Sequence, residues 1–206
     1  MGKPSSPAFR TLHSLRIKGV ATCETLADMT RSDPSDVQGH LDELAAVGQA
    51  QFQAAGASWQ LTPAGRAAHT DGLRADVAGV LPDASFSEAY ERFLSVDRQF
   101  DTLFAAWRVF NGQPNDHSSA EYDAAVVENL SHLHTSAEPI VRSFGAIFDR
   151  MDAYGPRLES VLIRILDGES NMFTGVMCGS YHDVWMELHE DLILTQGLDR
   201  STGGDI

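Results

Sequence analysis

The sequence predicts a mainly α protein of 206 residues with a small β-hairpin near its N-terminal end. Apolar residues recur at spacings of three and four along most of the chain, which is typical of amphipathic helices. Only residues 49–53 and 58–61 are short runs bounded by turn residues, as strands are. The composition, with 43% hydrophobic and 21% charged residues, is ordinary for a globular protein.

The first two helices are predicted from apolar spacing and from residues that cap or end helices. Phe9, Leu12 and Leu15 place one helix at about 8–18, and Gly19 ends it. Thr22 precedes a second helix, whose apolar residues occur at helical spacing.

The third helix follows a turn at residues 31–34 in which either Ser32 or Asp33 could be the N-cap, and it runs to about Val47. Its inward stripe has spacings of four, three and three. That stripe consists of Val37, Leu41, Leu44 and Val47. Two strands come next, with Ala54–Ala57 at the tip between them.

A further helix begins where the second strand ends. Thr62 can cap it, and Pro63 suits its first position, where no amide donor is required. This order of elements, and the segment Leu-Thr-Pro-Ala-Gly-Arg at 61–66, resemble the MarR-type (multiple-antibiotic-resistance regulator) transcription factors. Their wing commonly closes in a Leu-Thr-Pro-x-Gly-Arg segment. The resemblance covers roughly the first third of the chain.

The resemblance implies that residues 1–72 form a winged helix-turn-helix DNA-binding domain with a small β-wing, whose third helix enters the major groove. Six residues are then expected to contact double-stranded DNA: Lys18, Arg31, Ser35, Gln38, His40 and Arg66. The sequence departs from the family where many members carry arginine or lysine, because Gly39, Asp42 and Glu43 stand there. The wing tip also has no basic residue.

Charge is distributed unevenly along the chain. Residues 1–70 carry six basic and six acidic groups, whereas residues 71–206 carry nine basic and 23 acidic groups, which accounts for the whole net charge of −14. An acidic second part would repel a phosphate backbone. We therefore expect any DNA contact to use the first part alone.

The second part is predicted to be an all-α helical bundle of about five helices over residues 85–206, after a connector at 73–84. A capping box at Ser85–Glu88 opens a long helix that reaches about Phe110, with an aromatic residue every seven positions. Further helices are expected after the capping box at 118–121, at Pro139, at Pro156 and over about 181–196.

Histidines suggest an effector site in this acidic helical domain, which we also expect to mediate dimerisation. The candidate effector-binding residues are Asp116, His117, Tyr181, His182, Trp185 and His189. They could bind an anionic effector or a metal, or they could be polar groups hydrogen-bonded at the edge of the core. Ligand-pair spacings are absent, so we expect no metal and no cofactor. The carboxylates of the last helix (Asp183, Glu187, Glu190 and Asp191) are expected to face solvent.

Together these patterns predict a cytoplasmic, homodimeric transcription regulator that binds double-stranded DNA and senses a small-molecule effector. No enzyme motif occurs, and no apolar run is long enough to span a membrane. The two cysteines give no disulfide framework, which fits a reducing compartment. The alternative is a winged-helix protein-interaction adaptor that does not bind DNA.

Overall fold

The computed structural model describes residues 2–197. The chain is mainly helical, with 72% of the described residues in helices, and it contains a small antiparallel sheet. Two separate groups of buried apolar residues form its cores, one drawn from residues 12–61 and the other from residues 86–192. No helix within the described part is long and apolar enough to cross a membrane.

The N-terminal part contains three short helices and a three-stranded sheet. In chain order they are α1 (Pro7–Lys18), β1 (Val20–Ala21), α2 (Cys23–Thr30), α3 (Pro34–Ala46), β2 (Ala50–Gln53) and β3 (Ser58–Leu61). The strand order is β1-β3-β2, and the register places Trp59 between Ala21 and Phe52. The helices lie where the apolar spacing predicts them. Thr22 and Asp33 accept the first backbone N–H groups of α2 and α3.

The helix after β3 is longer than predicted. It is α4 (Pro63–Val77), and it includes the first five residues of the predicted connector. Thr62 caps it by accepting from the Gly65 N–H, and a Cβ on Gly65 would clash with the Gln49 carbonyl oxygen. Because α4 packs against α1, burying His69 and Leu73, the helix continues past Gly72.

The C-terminal part is an assembly of helices around an aromatic core. Its elements are α5 (Ala84–Arg108), β4 (Val109–Phe110), β5 (Gln113–Pro114), α6 (Ala120–Ile147), α7 (Tyr154–Leu166), α8 (Asn171–Thr174) and α9 (Tyr181–Thr195). Asp83, and not Ser85, is the N-cap of α5. Strands β4 and β5 form a two-residue ladder where the sequence predicted the end of a helix and then a loop.

One predicted helix boundary is wrong. Pro139 lies inside α6 and does not open a new helix. Proline removes one backbone hydrogen bond, at a cost of about 3 kcal/mol. On either side of it Ala137, Ile140 and Phe144 are almost fully buried, and burial of apolar side chains contributes about 1.5–3 kcal/mol for each large one. Packing of α6 therefore outweighs the local preference.

The N-terminal segment also contacts the C-terminal part. Lys3 forms a parallel bridge with Phe148, and its ammonium group donates to the last carbonyls of α4, at 2.8 Å from the Ala78 oxygen. The Ser5 N–H and the Arg10 guanidinium both donate to the Asp149 carboxylate. The two cores are thus joined by polar contacts in addition to the chain itself.

Candidate functional site

The outer face of α3 is exposed and acidic. Ser35 is exposed and Gln38 is half-buried, while the Gln38 amide donates to the Asp42 carboxylate at 2.7 Å. Asp36 and Glu43 are exposed on the same helix, which contains no lysine or arginine. This face can meet another molecule, but its charge opposes a phosphate backbone.

His40 of α3 contacts α1. Its Nδ1 atom lies 3.0 Å from the Thr11 hydroxyl of α1, and the residue is half-buried. One ring nitrogen of His40 is thus already hydrogen-bonded inside the N-terminal part, and contact of this residue with DNA stays a prediction. The apolar stripe of α3 correctly predicted which side of the helix is buried. Position 40 lies at the edge of that stripe, where spacing alone does not show whether a side chain is buried.

The three predicted phosphate-binding residues differ in what they contact. Lys18 is mostly buried and lies 2.7 Å from Glu187 Oε1 on α9, so its charge is already paired within the chain. Arg66 is exposed and donates to the Leu61 carbonyl oxygen at 3.1 Å. Arg31 is exposed at the end of α2 in a left-handed conformation, with φ 51°. Arg31 and Arg66 remain on the surface, whereas Lys18 does not.

The predicted effector residues on α9 lie in or beside the aromatic core. Tyr181 and Trp185 are fully buried, and the Trp185 indole N–H donates to Asp97 at 2.7 Å. His182 stacks on Phe104 with ring centroids 4.2 Å apart. Phe93 and Phe100 also stack on the Trp185 indole, with ring centroids 5.1 and 5.0 Å away, so protein side chains pack against it.

Polar groups lie at the edge of this aromatic core. His189 Nδ1 lies 3.5 Å from the second oxygen of Asp97. Burial lowers the pKa of His182, and burial raises the pKa of the nearby Asp101. The arrangement agrees with the simpler interpretation offered by the sequence, polar groups hydrogen-bonded at the edge of a core.

Asp116 and His117 form a separate local structure. His117 lies 3.0 Å from Asp123, and its ring contacts Trp107 at 4.7 Å. Asp116 accepts from the Ser118 N–H. Within residues 2–197 no hydrogen bond or ring contact joins His117 to the histidines of α9, and no group of histidine, cysteine and carboxylate side chains could hold a metal ion. The structure therefore does not assemble the six predicted effector residues into one site.

A large cleft lies elsewhere, between α4, the start of α5 and the end of α9. It has a volume of about 950 Å³, and we call it the α4–α9 cleft. Its apolar wall includes Leu73, Val77 and Ile193, and His69 of α4 lies at its base. None of the predicted effector residues lines it. This volume falls in the range of small-molecule sites in proteins.

Behind His69 is a buried ionic network that joins α1 to α9. His69 Nε2 lies 2.8 Å from His13 Nδ1, and His13 Nε2 lies 2.9 Å from the Asp191 carboxylate. The Tyr154 hydroxyl donates to Asp191 at 3.2 Å, and Arg150 lies 3.4 Å from it. Burial alone would raise the pKa of Asp191, but Arg150 and His13 hold that pKa below its usual range.

A second ion cluster surrounds Glu187, one helical turn before Asp191. Glu187 lies 2.8 Å from Arg157 and 2.7 Å from Lys18, and Arg157 also reaches Asp28 of α2 at 3.0 Å. Burial would lower the pKa of Arg157, yet the carboxylates of Glu187 and Asp28 raise it. Glu187 therefore connects α9 to α1 directly and, through Arg157, to α7 and α2.

These two clusters correct the prediction that the carboxylates of α9 face solvent. Glu187 is 5% exposed and Asp191 is 1% exposed. A helical face with acidic residues looks the same in sequence whether water or arginine covers it. The available signal was the pair Arg150 and Arg157, seven residues apart and each followed by an apolar residue, which can supply buried counter-ions.

Comparison with protein-family models, with curated proteins and with solved structures finds no match for the chain. Functional proposals for this protein therefore depend on its own residues and their geometry.

Proposed function

We propose that the chain is a homodimeric, DNA-binding transcription regulator, in which residues 2–77 form a winged helix-turn-helix and the C-terminal helices respond to an effector. The observation that carries the proposal is the exposed α3, which follows α2 after a short turn and precedes an antiparallel hairpin. Winged helix-turn-helix proteins use this order of elements to lay one helix in the major groove.

In this proposal Ser35 and Gln38 contact base edges, and Arg31 and Arg66 neutralise phosphates. The Gln38 amide can pair with adenine through two hydrogen bonds once it leaves Asp42. Two copies of α3 in a dimer would contact two half-sites about one helical turn apart. Affinity would be modest because few cations are exposed on this surface.

A mobility-shift assay at low salt with the DNA upstream of the protein's own coding region tests the proposal. Arg31→Ala should weaken binding and reduce the slope of log binding constant against log salt concentration by about one. Gln38→Ala should reduce the difference in binding free energy between the preferred and a mismatched sequence by about 1–3 kcal/mol. Arg142→Ala is the control, because Arg142 is exposed on α6, far from α3 in the chain. Failure of the wild type to retain any duplex at low salt would refute DNA binding.

The charge of α3 favours a second candidate, an adaptor that binds a basic protein surface. Asp36, Asp42 and Glu43 are exposed on this helix, and no cation balances them there. Glu43→Lys separates the two candidates. If α3 faces phosphates, this variant should bind DNA more strongly. If α3 docks on a basic protein surface, the wild type should capture a partner protein even after nuclease treatment, and this variant should not.

A further inference from the structure

The α4–α9 cleft has an apolar wall and a polar base. Apolar side chains from α4, from the connection to α5 and from α9 contribute to it: Leu73, Val77, Leu81, Phe86 and Ile193. Removal of a ligand's apolar surface from water against such a wall favours binding. The wall alone would accept many apolar molecules, so specificity must come from the polar groups.

The charged side chains at the cleft already have partners. Arg16 lies 3.7 Å from the Glu190 carboxylate, and Arg74 lies 2.8 Å from Asp71. Asp83 accepts the Phe86 N–H at 2.8 Å as the N-cap of α5. A charged ligand would lose its own hydration against the apolar wall, which is costly. The lining therefore favours an uncharged ligand.

His69 supplies the polar group at the base. It is 2% exposed, one ring nitrogen faces His13, and within residues 2–197 the other nitrogen makes no hydrogen bond. Burial, with His13 and Arg16 adding to it, lowers the pKa of His69 to about 3, so the ring is neutral near pH 7. A ligand that covered this nitrogen without bonding to it would remove the nitrogen from water and give it no partner in return. A ligand hydroxyl can satisfy it in either tautomer, because a hydroxyl both donates and accepts.

We propose that the α4–α9 cleft binds an uncharged, largely apolar small molecule with one hydroxyl group, which hydrogen-bonds to the free ring nitrogen of His69. The inference deepens the proposed function and rests on it in one respect, since this molecule would be the effector. Binding itself requires no DNA, so a binding assay can fail or succeed independently of the mobility-shift assay.

The test uses the full chain and the uncharged fluorophore N-phenyl-1-naphthylamine, whose emission rises in apolar surroundings. Three competitors with the same eight-carbon chain then displace it: 1-octanol, sodium octanoate and 1-chlorooctane. We expect 1-octanol to displace the fluorophore at about tenfold lower concentration than either of the others, the effect of about 1.4 kcal/mol from one hydrogen bond.

Three variants locate the site. Ile193→Trp fills the cleft and should abolish the fluorescence increase, whereas Ile163→Trp, at a 52% exposed position on α7, should leave it unchanged. His69→Phe keeps a ring of similar shape and should remove the advantage of 1-octanol over 1-chlorooctane. If His69→Phe does not fold, the comparison of the three competitors on the wild type still decides the ligand class.

Several results would overturn the proposal. They are no fluorescence increase with the wild type, displacement by octanoate as strong as that by 1-octanol, equal displacement by 1-chlorooctane, or an unchanged signal in Ile193→Trp. Each result leaves the DNA-binding proposal standing, because no nucleic acid is present in the assay.

Discussion

Replacing His69 with glutamine tests the buried contact between α1, α4 and α9 through the pH dependence of folding. The pKa of His69 is about 3 in the folded protein, against an ordinary value of 6.5. Between these two pH values the unfolded chain binds a proton that the folded chain does not. Lowering the pH from 7 to 5 therefore favours the unfolded state.

The expected size of the effect follows from the two pKa values. One pKa unit corresponds to about 1.4 kcal/mol, so protonation of the unfolded chain at pH 5 costs the wild type about 2 kcal/mol of stability. His69→Gln lacks this titration and should lose about 2 kcal/mol less over the same range, although it is less stable at pH 7. Asp191 does not contribute, because its stabilisation is lost only as the pH falls below the ordinary carboxylate value of 3.8.

Guanidinium unfolding followed by circular dichroism, at pH 7 and pH 5 and constant ionic strength, measures this difference. Burial also lowers the pKa values of His134 and His182, but both residues are present in both proteins and their contributions cancel. His132→Gln, at an exposed position on α6, is the matched control and should behave like the wild type. Equal losses of stability in the wild type and His69→Gln would refute the buried, neutral state of His69.

Two other substitutions have matched controls and the same unfolding assay at pH 7. Gly65→Ala should destabilise the protein by about 1–3 kcal/mol, because the added carbon meets a backbone oxygen, whereas Gly39→Ala on the open face of α3 should stabilise it by up to about 1 kcal/mol. The reverse order would show that α4 does not pack on the loop before β2. Asp191→Asn should cost about 3 kcal/mol, since it removes one of the two carboxylates that face the buried Arg150 guanidinium, and Asp167→Asn at an exposed position should change little. A small effect for Asp191→Asn would mean that water reaches the network.

The N-terminal elements are predictable from the sequence because their signals are local. Thr22 and Thr62 lie at predicted caps and accept the expected backbone N–H groups. A cap, its helix and the following turn lie within a few residues of one another, so no distant contact has to be known. Pro139 shows the limit of this argument, since burial of its neighbours against other helices overrides the local rule.

The site could not be predicted in the same way, because its partners are far apart in the chain. His13 and His69 are 56 residues apart, and Lys18 and Glu187 are 169 residues apart. Helical periodicity shows which residues share a face, but it does not show what covers that face. Histidines beside an aromatic residue on α9 therefore suggested a pocket, whereas the cleft lies at a histidine of α4.

The pairing of basic residues in α1 bears on both proposals. Arg10, Arg16 and Lys18 all face carboxylates of the C-terminal part, so composition alone overstates the positive charge available to DNA. DNA would favour a conformation in which Lys18 leaves Glu187, because a freed cation near a phosphate gains attraction. Arg16 lies both in that set of pairs and at the α4–α9 cleft. If a ligand in the cleft prefers one arrangement of α1 against α9, thermodynamic linkage requires ligand and DNA to change each other's affinity by the same factor.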